Sequence, residues 1–437
     1  NISFVGAIAY CMGSETLSIS SQGLWQQGPA ELWIISFLWG VLFIEDKRRS
    51  GPLLAGCSLG MLALTRPEDV VLLIPFAIWI FRRGYRSRVV AALLYSLPFI
   101  AIALLYNSLI FGGPFSTGYG NAVSFFGFPL GEGLLGNLFS PSKGLFVFMP
   151  WTFFSFSLAF KISHLTREKR FFYLPLLMAL PLYLVFYSKY YQWPAGYCFG
   201  PRYMADLSPY MAILACACVD VLLTSDATWA KLLVTLGFSL SLLWSVSIQI
   251  IGTYAPTTAG AWNSASHPNT FLRPLWSIGG SEIAFYVQST ASSFTQLPRI
   301  RHPSAEIKNL RIFTKPFLYE PGHRAAFKTN TVYSGTAYIL NTGSQTWSAF
   351  PGSAGSRVVH FAYTVWKDGK EVIPNGDRSA LLHSVAPGKG IEVYFNFNTP
   401  SKPGDYTYIF TLVQEGVAWF ESSDSARNAY RVNLDVS

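Results

Sequence analysis

Charge is what this sequence has least of. Only 13% of its 437 residues are Asp, Glu, Lys or Arg, about half of the ~25% usual in soluble domains, so much of the chain is expected to lie in lipid. Cysteine is also scarce. Cys11, Cys57, Cys198, Cys216 and Cys218 are the complete set, four of them in apolar runs and none in a CxxC pair, which argues against a disulfide framework and a thiolate zinc site. The six His are scattered without metal-ligand spacing, and no metal is expected. No Walker loop, dinucleotide fingerprint, HExxH or GxSxG occurs, so none of those chemistries and no cofactor is expected. No internal repeat or low-complexity tract is apparent.

What is present is apolar. Hydrophobic residues make up 51% and aromatics 16% of the chain, with a mean hydropathy of +0.32. Apolar segments fall at about 1–12, 30–44, 51–65, 70–81, 89–111, 143–162, 171–188, 207–224 and 232–254. The net charge of +9 raises the question of nucleic acid, but the basic residues form no stripe. They gather in short loops: Lys47-Arg48-Arg49, then Arg82, Arg83, Arg86 and Arg88, then Arg167, Lys169 and Arg170. That is the positive-inside pattern, and no nucleic-acid partner is expected. With those loops in the cytoplasm, residues 13–29, 66–69, 112–142, 189–206 and everything after 255 fall outside.

The fold class expected is a multi-pass α-helical membrane protein followed by an all-β sandwich. Residues 1–255 hold nine spans, the first incomplete; 256–304 form an extracytoplasmic linker; 305–437 form the sandwich. The expected location is the plasma (inner) membrane. Asn1 stands inside an apolar run with no initiating Met, basic n-region or cleavage site, which reads as a truncated start rather than a signal peptide.

Several outer stretches carry chemistry. Between two long apolar runs lies Gln192–Asp206, which offers Trp193, Arg202, Tyr203 and Asp206 punctuated by Pro and Gly. Arg66-Pro67-Glu68-Asp69 separates two short apolar runs. These reach roughly 24 Å and 18 Å at 1.5 Å per residue, against roughly 30 Å of hydrocarbon. The turn therefore reads either as charge in a protein-shielded polar cavity or as a helix start with Pro67 at N1 and acids near the positive N-terminus. The Gly- and aromatic-rich loop 112–142 suits the interface plane. At its end, Ser140-Pro141-Ser142-Lys143-Gly144 reads as an anion site at a helix start or as ordinary capping with a snorkelling Lys143. With Glu15, Trp25, Gln27 and Tyr119, these groups face one side. Fixed cations suit a phosphate at headgroup depth, carboxylates suit hydroxyl deprotonation or sugar recognition, and Trp and Tyr rings suit a sugar face or an aromatic belt.

An ordered set of these motifs resembles bacterial membrane glycosyltransferases of the GT-C class, relatives of protein O-mannosyltransferases and aminoarabinose transferases. It comprises Ser21-Gln22-Gly23-Leu24-Trp25-Gln26-Gln27-Gly28-Pro29, Arg66-Pro67-Glu68, Tyr106-Asn107 with Phe111-Gly112-Gly113-Pro114 and Gly118-Tyr119, Ser140 to Phe146, and Trp193 to Gly200-Pro201-Arg202-Tyr203. The resemblance covers roughly residues 5–255. It implies transfer of a sugar from a polyprenyl-phosphate-linked donor to an acceptor glycan, lipid or protein at the outer face, within membrane lipid. Arg202, Lys143 and Arg66 are the expected donor-phosphate ligands, and Trp193, Tyr203, Glu68 and Asp206 the sugar or acceptor contacts. The family usually has His where Gln27 stands and Arg where Lys143 stands. Its catalytic acid lies in an outer loop between spans that precede Asn1, so the catalytic base is expected upstream of this stretch.

From about residue 305 the pattern alternates with period 2, most clearly at 358–366, 390–397 and 405–413, with turn signals at Asn341-Thr342-Gly343, Pro374-Asn375-Gly376, Pro387-Gly388 and Lys402-Pro403-Gly404. That spacing argues for an antiparallel sandwich. Asn341 to Trp347 and Glu415 to Phe420 resemble motifs in Ig-like modules found on some bacterial glycosyltransferases. Trp347 and Trp419 are read as core rather than ligand platforms. Two rival functions stand beside transfer: a transporter or flippase of a lipid-linked sugar, which would place polar groups at mid-depth with repeated halves, and a non-catalytic envelope-binding membrane protein.

Overall fold

The computed structural model describes the chain except residues 1, 118–124, 225–226, 268–271, 315–316, 320–325, 354–356 and 423–427. Two compact units divide it, residues 1–254 and 255–437. The first is helical: α1 (Ile2–Cys11), α2 (Gln27–Glu45), α3 (Gly51–Thr65), α4 (Ile74–Arg82), α5 (Arg86–Phe111), α6 (Leu130–Phe139), α7 (Leu145–Phe148), α8 (Phe153–Lys161), α9 (Arg167–Ser188), α10 (Ser208–Leu222) and α11 (Thr228–Tyr254). Among the described residues, five helical stretches are long and apolar enough to cross a membrane: Gln27–Glu45, Arg86–Phe111, Arg167–Ser188, Arg202–Leu222 and Thr228–Tyr254. Ile2–Cys11 and Gly51–Thr65 are shorter apolar helices.

That is fewer than the nine spans expected, of which the first is incomplete and the two flanking Arg66 are short, and proline accounts for part of the difference. The run 143–162 is not one helix. Met149 leaves helical geometry ahead of Pro150, whose ring admits no preceding helical turn, and a short 3-10 turn separates α7 from α8. Between α3 and α4, Arg66 is extended and Pro67–Leu73 winds as 3-10 helix. The regular helix after this turn, α4, is shorter still than its apolar run, while α3 matches its run of 51–65.

Small residues set the closest helix contacts. A Cβ on Gly40 of α2 would run into the backbone of Ala55 on α3. On the other side of α3, a Cβ on Gly56 would meet Ala92 and Tyr95 of α5, and one on Gly60 would meet Phe99 and Ser96. Glycines four apart let two backbones approach closely. Outside this seam α5 is bare: only Ser96 is buried along its length. Basic side chains gather at one end of the helices. Arg83 pairs with Glu45 at 2.7 Å and stacks on Phe171, while Arg88 donates to the carbonyls of Ile44, Lys47 and Arg48 where α2 ends.

In the second unit, residues 256–304 are not a plain linker. They form α12 (Ala259–Ser266) and α13 (Glu282–Ser293), N-capped by the Thr258 and Ser281 hydroxyls. They also belong to the core. The buried Trp262 donates to the Gly280 carbonyl, Phe285 packs edge-on against Phe350, and the Ile300 amide donates to Gln414. The strands are β1 (Ala305–Thr314), β2 (Phe317–Tyr319), β3 (Ala326–Phe327), β4 (Val332–Asn341), β5 (Val359–Lys367), β6 (Lys370–Ile373), β7 (Ser379–Ala380), β8 (Gly390–Asn398), β9 (Gly404–Gln414), β10 (Ala418–Trp419) and β11 (Ala429–Val436). One sheet has the order β2-β1-β4-β8. The other runs β3-β11-β9-β5-β6, with β10 on β9 and β7 on β5. Pairing is antiparallel except between β3 and β11. The sheets meet through rings: Phe361 of β5 against Phe395 of β8 at 5.1 Å, and Phe397 of β8 against Phe410 of β9 at 5.8 Å. Trp347 lies inside, fully buried against Phe420.

Candidate functional site

The site is built around Arg66, where α3 ends. A guanidinium with 3% side-chain exposure is tolerated only with charge and hydrogen-bond partners, and it has them on every side. Its Nη2 donates to the Tyr187 hydroxyl at 2.8 Å and lies 3.2 Å from Glu68. Its Nη1 is 3.4 Å from Asp206 Oδ2. Its Nε is 3.0 Å from Asp69 Oδ2, without hydrogen-bond alignment. Tyr183 bridges the two aspartates, its hydroxyl 2.5 Å from Asp69 and 3.2 Å from Asp206. Asp69 and Asp206 are both fully buried, whereas the Glu68 side chain keeps 33% of its exposure. Burial, then the charge of Asp206, pushes the Asp69 carboxyl well above its ordinary range against the pull of Arg66.

A chain of rings leads outward from this cluster. Tyr187 stacks on Tyr203 at 4.4 Å and 14°. The guanidinium of Arg202 then lies 5.2 Å from the Tyr203 ring and 5.3 Å from that of Trp25. Trp25 is 41% exposed, so Arg202 sits between an inner and an outer ring, a geometry that a planar guanidinium favours. Its Nε is buried without a hydrogen-bond partner. Four of the residues expected from sequence, Arg66, Glu68, Asp206 and Tyr203, are therefore contiguous with a fifth, Arg202.

The other two sit elsewhere. Lys143 is buried, its ammonium donating to the Cys198 carbonyl at 2.6 Å, while the Ser140 hydroxyl accepts the amides of Ser142 and Lys143. Trp193 is 2% exposed and packs so tightly on Gly136 that a Cβ there would enter its ring. It is held as core rather than presented to a ligand. Arg66 also has a different place from the one its charge suggested. Its donors are engaged by three carboxylates and a tyrosine, so it organises the cluster rather than offering a vacant cation to a phosphate. Tyr119 lies outside the described residues.

The loop carrying these groups is sharply bent. Ala195, Gly196 and Gly200 have φ of 68°, 66° and 68°, a region that costs a residue with a Cβ about 1–2 kcal/mol. A Cβ on Gly200 would also meet the carboxylate of Glu15. Glu15 is fully buried and accepts from Ser18 and Gln249.

Sequence reasoning missed Tyr183, Tyr187 and Glu31. The tyrosines are four apart on α9 and so share a face. Glu31 is 1% exposed and accepts from the hydroxyls of Tyr10, Thr16 and Ser20 at 2.7, 2.8 and 2.7 Å. Its signal was a lone carboxylate in an apolar run, which is rarely accidental. Among the described residues no group of three or more His, Cys, Asp or Glu is arranged to hold a metal ion.

No protein-family model matches this chain, and no curated protein matches it either. Solved structures give only faint likenesses. The CARDB domain of a Pyrococcus furiosus protein, solved with two metal ions, has 13% identity and a TM-score of 0.18, covering 32% of this chain and 95% of its own. Spo0M, a sporulation control protein from Bacillus subtilis, has 13% identity and a TM-score of 0.19, covering 31% and 49%. The alkylpurine DNA glycosylase AlkC of Pseudomonas fluorescens, bound to DNA, has 11% identity and a TM-score of 0.19, covering 100% and 98%. At such scores none of these likenesses carries an argument about fold or function, and the site has to be read from its own chemistry.

Proposed function

We propose that this is a multi-pass membrane glycosyltransferase of the GT-C class, moving a sugar from a polyprenyl-phosphate-linked donor to an acceptor at the outer face, with an Ig-like sandwich as its second unit. The observation that carries the reading is Arg202: a guanidinium between the rings of Trp25 and Tyr203 with its buried Nε unpartnered. Arg202 holds the donor phosphate, using the fork that suits a phosphoryl group. Glu68, the accessible carboxylate of the cluster, meets a sugar or acceptor hydroxyl. Arg66, Asp69, Asp206, Tyr183 and Tyr187 fix the position of Tyr203 and Glu68, and Lys143 ties the 189–201 loop through Cys198. The catalytic base is not assigned to a residue of this chain.

The membrane part of the proposal is supported by surface composition. The exposed side of α5 carries Leu94, Leu97, Leu105 and Leu109, and that of α11 carries Leu233, Leu240, Leu243 and Trp244. Contiguous apolar surface on that scale is rare on a water-soluble monomer.

Transfer is tested by incubating membranes containing the full-length protein with a radiolabelled polyprenyl-phosphate sugar and following label into acceptor. Arg202→Ala should lower transfer by about 10²–10³-fold at unchanged expression, as loss of a charge-stabilising donor does. Arg202→Lys should restore part of it, because the charge returns without the fork. Unchanged transfer in Arg202→Ala, or passage of the labelled donor across the bilayer without transfer, would overturn the reading.

A further inference from the structure

The second unit holds a groove on the outer face of its larger sheet, away from the phenylalanines that join the two sheets. Its volume is about 560 Å³, within the range of about 300–1,000 Å³ usual for small-ligand sites, and its walls include Thr364 and Trp366 of β5, Glu371 of β6, Asn375, Trp419 of β10 and Glu421. Trp366 and Thr364 are two apart on one strand and so share a face. The indole N–H of Trp366 donates to the Thr364 hydroxyl at 3.1 Å, so its polar edge is satisfied within the strand.

Trp419 is held from behind. The guanidinium of Arg378 lies 4.7 Å from its ring centroid and is itself fixed by Glu415 at 2.9 Å and the Gly376 carbonyl at 2.7 Å. The platform is thus ordered before any ligand arrives, which removes part of the entropy cost of binding.

The charge in the groove has one sign. Glu371 is exposed and has no cationic partner among the described residues. Among the described residues Glu421 has only Arg431, at 3.8 Å, and burial and the Glu371 charge together raise its carboxyl against that pull. Acceptor oxygens beside indole faces match a pyranose, whose C–H face packs on an aromatic ring and whose hydroxyls donate to carboxylates. The same carboxylates repel phosphate, sulfate and uronate. We propose that this groove is a binding site for an uncharged oligosaccharide, separate from the site of the helical unit, with Trp366 and Trp419 as platforms and Glu371, Glu421 and Asn375 as hydroxyl partners.

The full-length protein in detergent micelles, without polyprenyl-phosphate donor, is passed over an array of uncharged hexose and N-acetylhexosamine oligosaccharides. Sialylated, sulfated and phosphorylated glycans and a phosphocholine conjugate are spotted alongside. At least one uncharged oligosaccharide should be retained. Trp366→Ala should weaken it by about tenfold or more, and Glu371→Gln, at an exposed position on a short strand, should weaken it several-fold. Retention of no uncharged glycan, retention of only charged glycans or phosphocholine, or unchanged affinity in Glu371→Gln and a folded Trp366→Ala would each overturn the proposal. The readout is equilibrium binding, so it stands or falls independently of glycosyl transfer.

Discussion

Replacing Arg66 by Met keeps an unbranched apolar stem and takes away the charged guanidinium. In the native cluster this guanidinium lies 3.0 Å from Asp69 and 3.4 Å from Asp206, two carboxylates with no exposure. Removing one partner of a buried ion pair costs about 3–5 kcal/mol, because the other is left uncompensated. For a unit of this size each kcal/mol moves the midpoint by about 2–4 °C, so the helical unit of Arg66→Met should unfold about 6–20 °C lower. Two further results follow from the same geometry. Asp206→Asn, added to Arg66→Met, removes one of the stranded charges and should recover part of the loss, with a coupling of about 1 kcal/mol or more. The variant should also depend on pH. The Asp69 carboxyl is already raised by burial and by Asp206, so its protonated form favours the folded state. The stability it contributes is present below the ordinary carboxyl range and is lost as pH rises through the raised value. Without Arg66 that value climbs further, so the gap between Arg66→Met and the parent should narrow on acidification. The measurement is thermal unfolding in detergent by circular dichroism across pH. A midpoint within 2 °C of the parent, strictly additive effects of the two substitutions, or a gap that widens in acid would refute the reasoning.

Three other outcomes are expected. Gly60→Leu places a side chain where Phe99 and the Ser96 carbonyl already stand; overpacking of this kind costs about 1–3 kcal/mol, and α5 should become more accessible to proteolysis while the Arg66 cluster is spared. Gly200→Ala combines a φ of +68° with a clash against Glu15, so transfer should fall and unfolding occur earlier, by about 1–2 kcal/mol, with helix content unchanged by circular dichroism. In the second unit burial raises the Glu415 carboxyl, but its hydrogen bonds from His360 and Arg378 outweigh burial and hold it below its usual value. That stability is present above the ordinary carboxyl pKa of about 4.3 and is lost as pH falls, so Glu415→Gln should flatten the acid side of the unfolding profile of this unit.

How much of this was legible in sequence depended on whether a feature is local. Strand positions were readable because alternation is a property of adjacent residues: 358–366, 390–397 and 405–413 lie on β5 (Val359–Lys367), β8 (Gly390–Asn398) and β9 (Gly404–Gln414). The gathering of Arg66, Asp206 and Tyr203 followed from reading outer loops together. What each residue does there did not follow, because that depends on partners far away in sequence. Arg66 meets Tyr187 across 121 positions, and that contact with two buried aspartates turns a candidate phosphate ligand into an internal hub. Trp193 gives no local sign that Gly136 makes room for it. Residues 256–304 read as linker because their apolar residues are sparse, yet Trp262 and Phe285 are each placed by long-range packing. Trp347 is core, as its motif suggested, while Trp419 in a similar motif lines a groove.

The bareness of α5 has a consequence for how the helical unit is assembled. On the membrane reading proposed above, burying leucine offers no advantage over leaving it among lipid tails, so the leucines of α5 do not distinguish its docked state from a detached one. That choice falls to Gly56 and Gly60, which admit the backbone near Ala92 and Ser96. Both lie on α3, whose opposite side is taken by α2 through Gly40 and Ala55. The α2–α3 hairpin can therefore be complete before α5 is synthesised, and α5 then docks onto a finished groove. Its attachment is decided by shape at two positions, and a chain altered at either would keep its ionic centre intact while losing a wall.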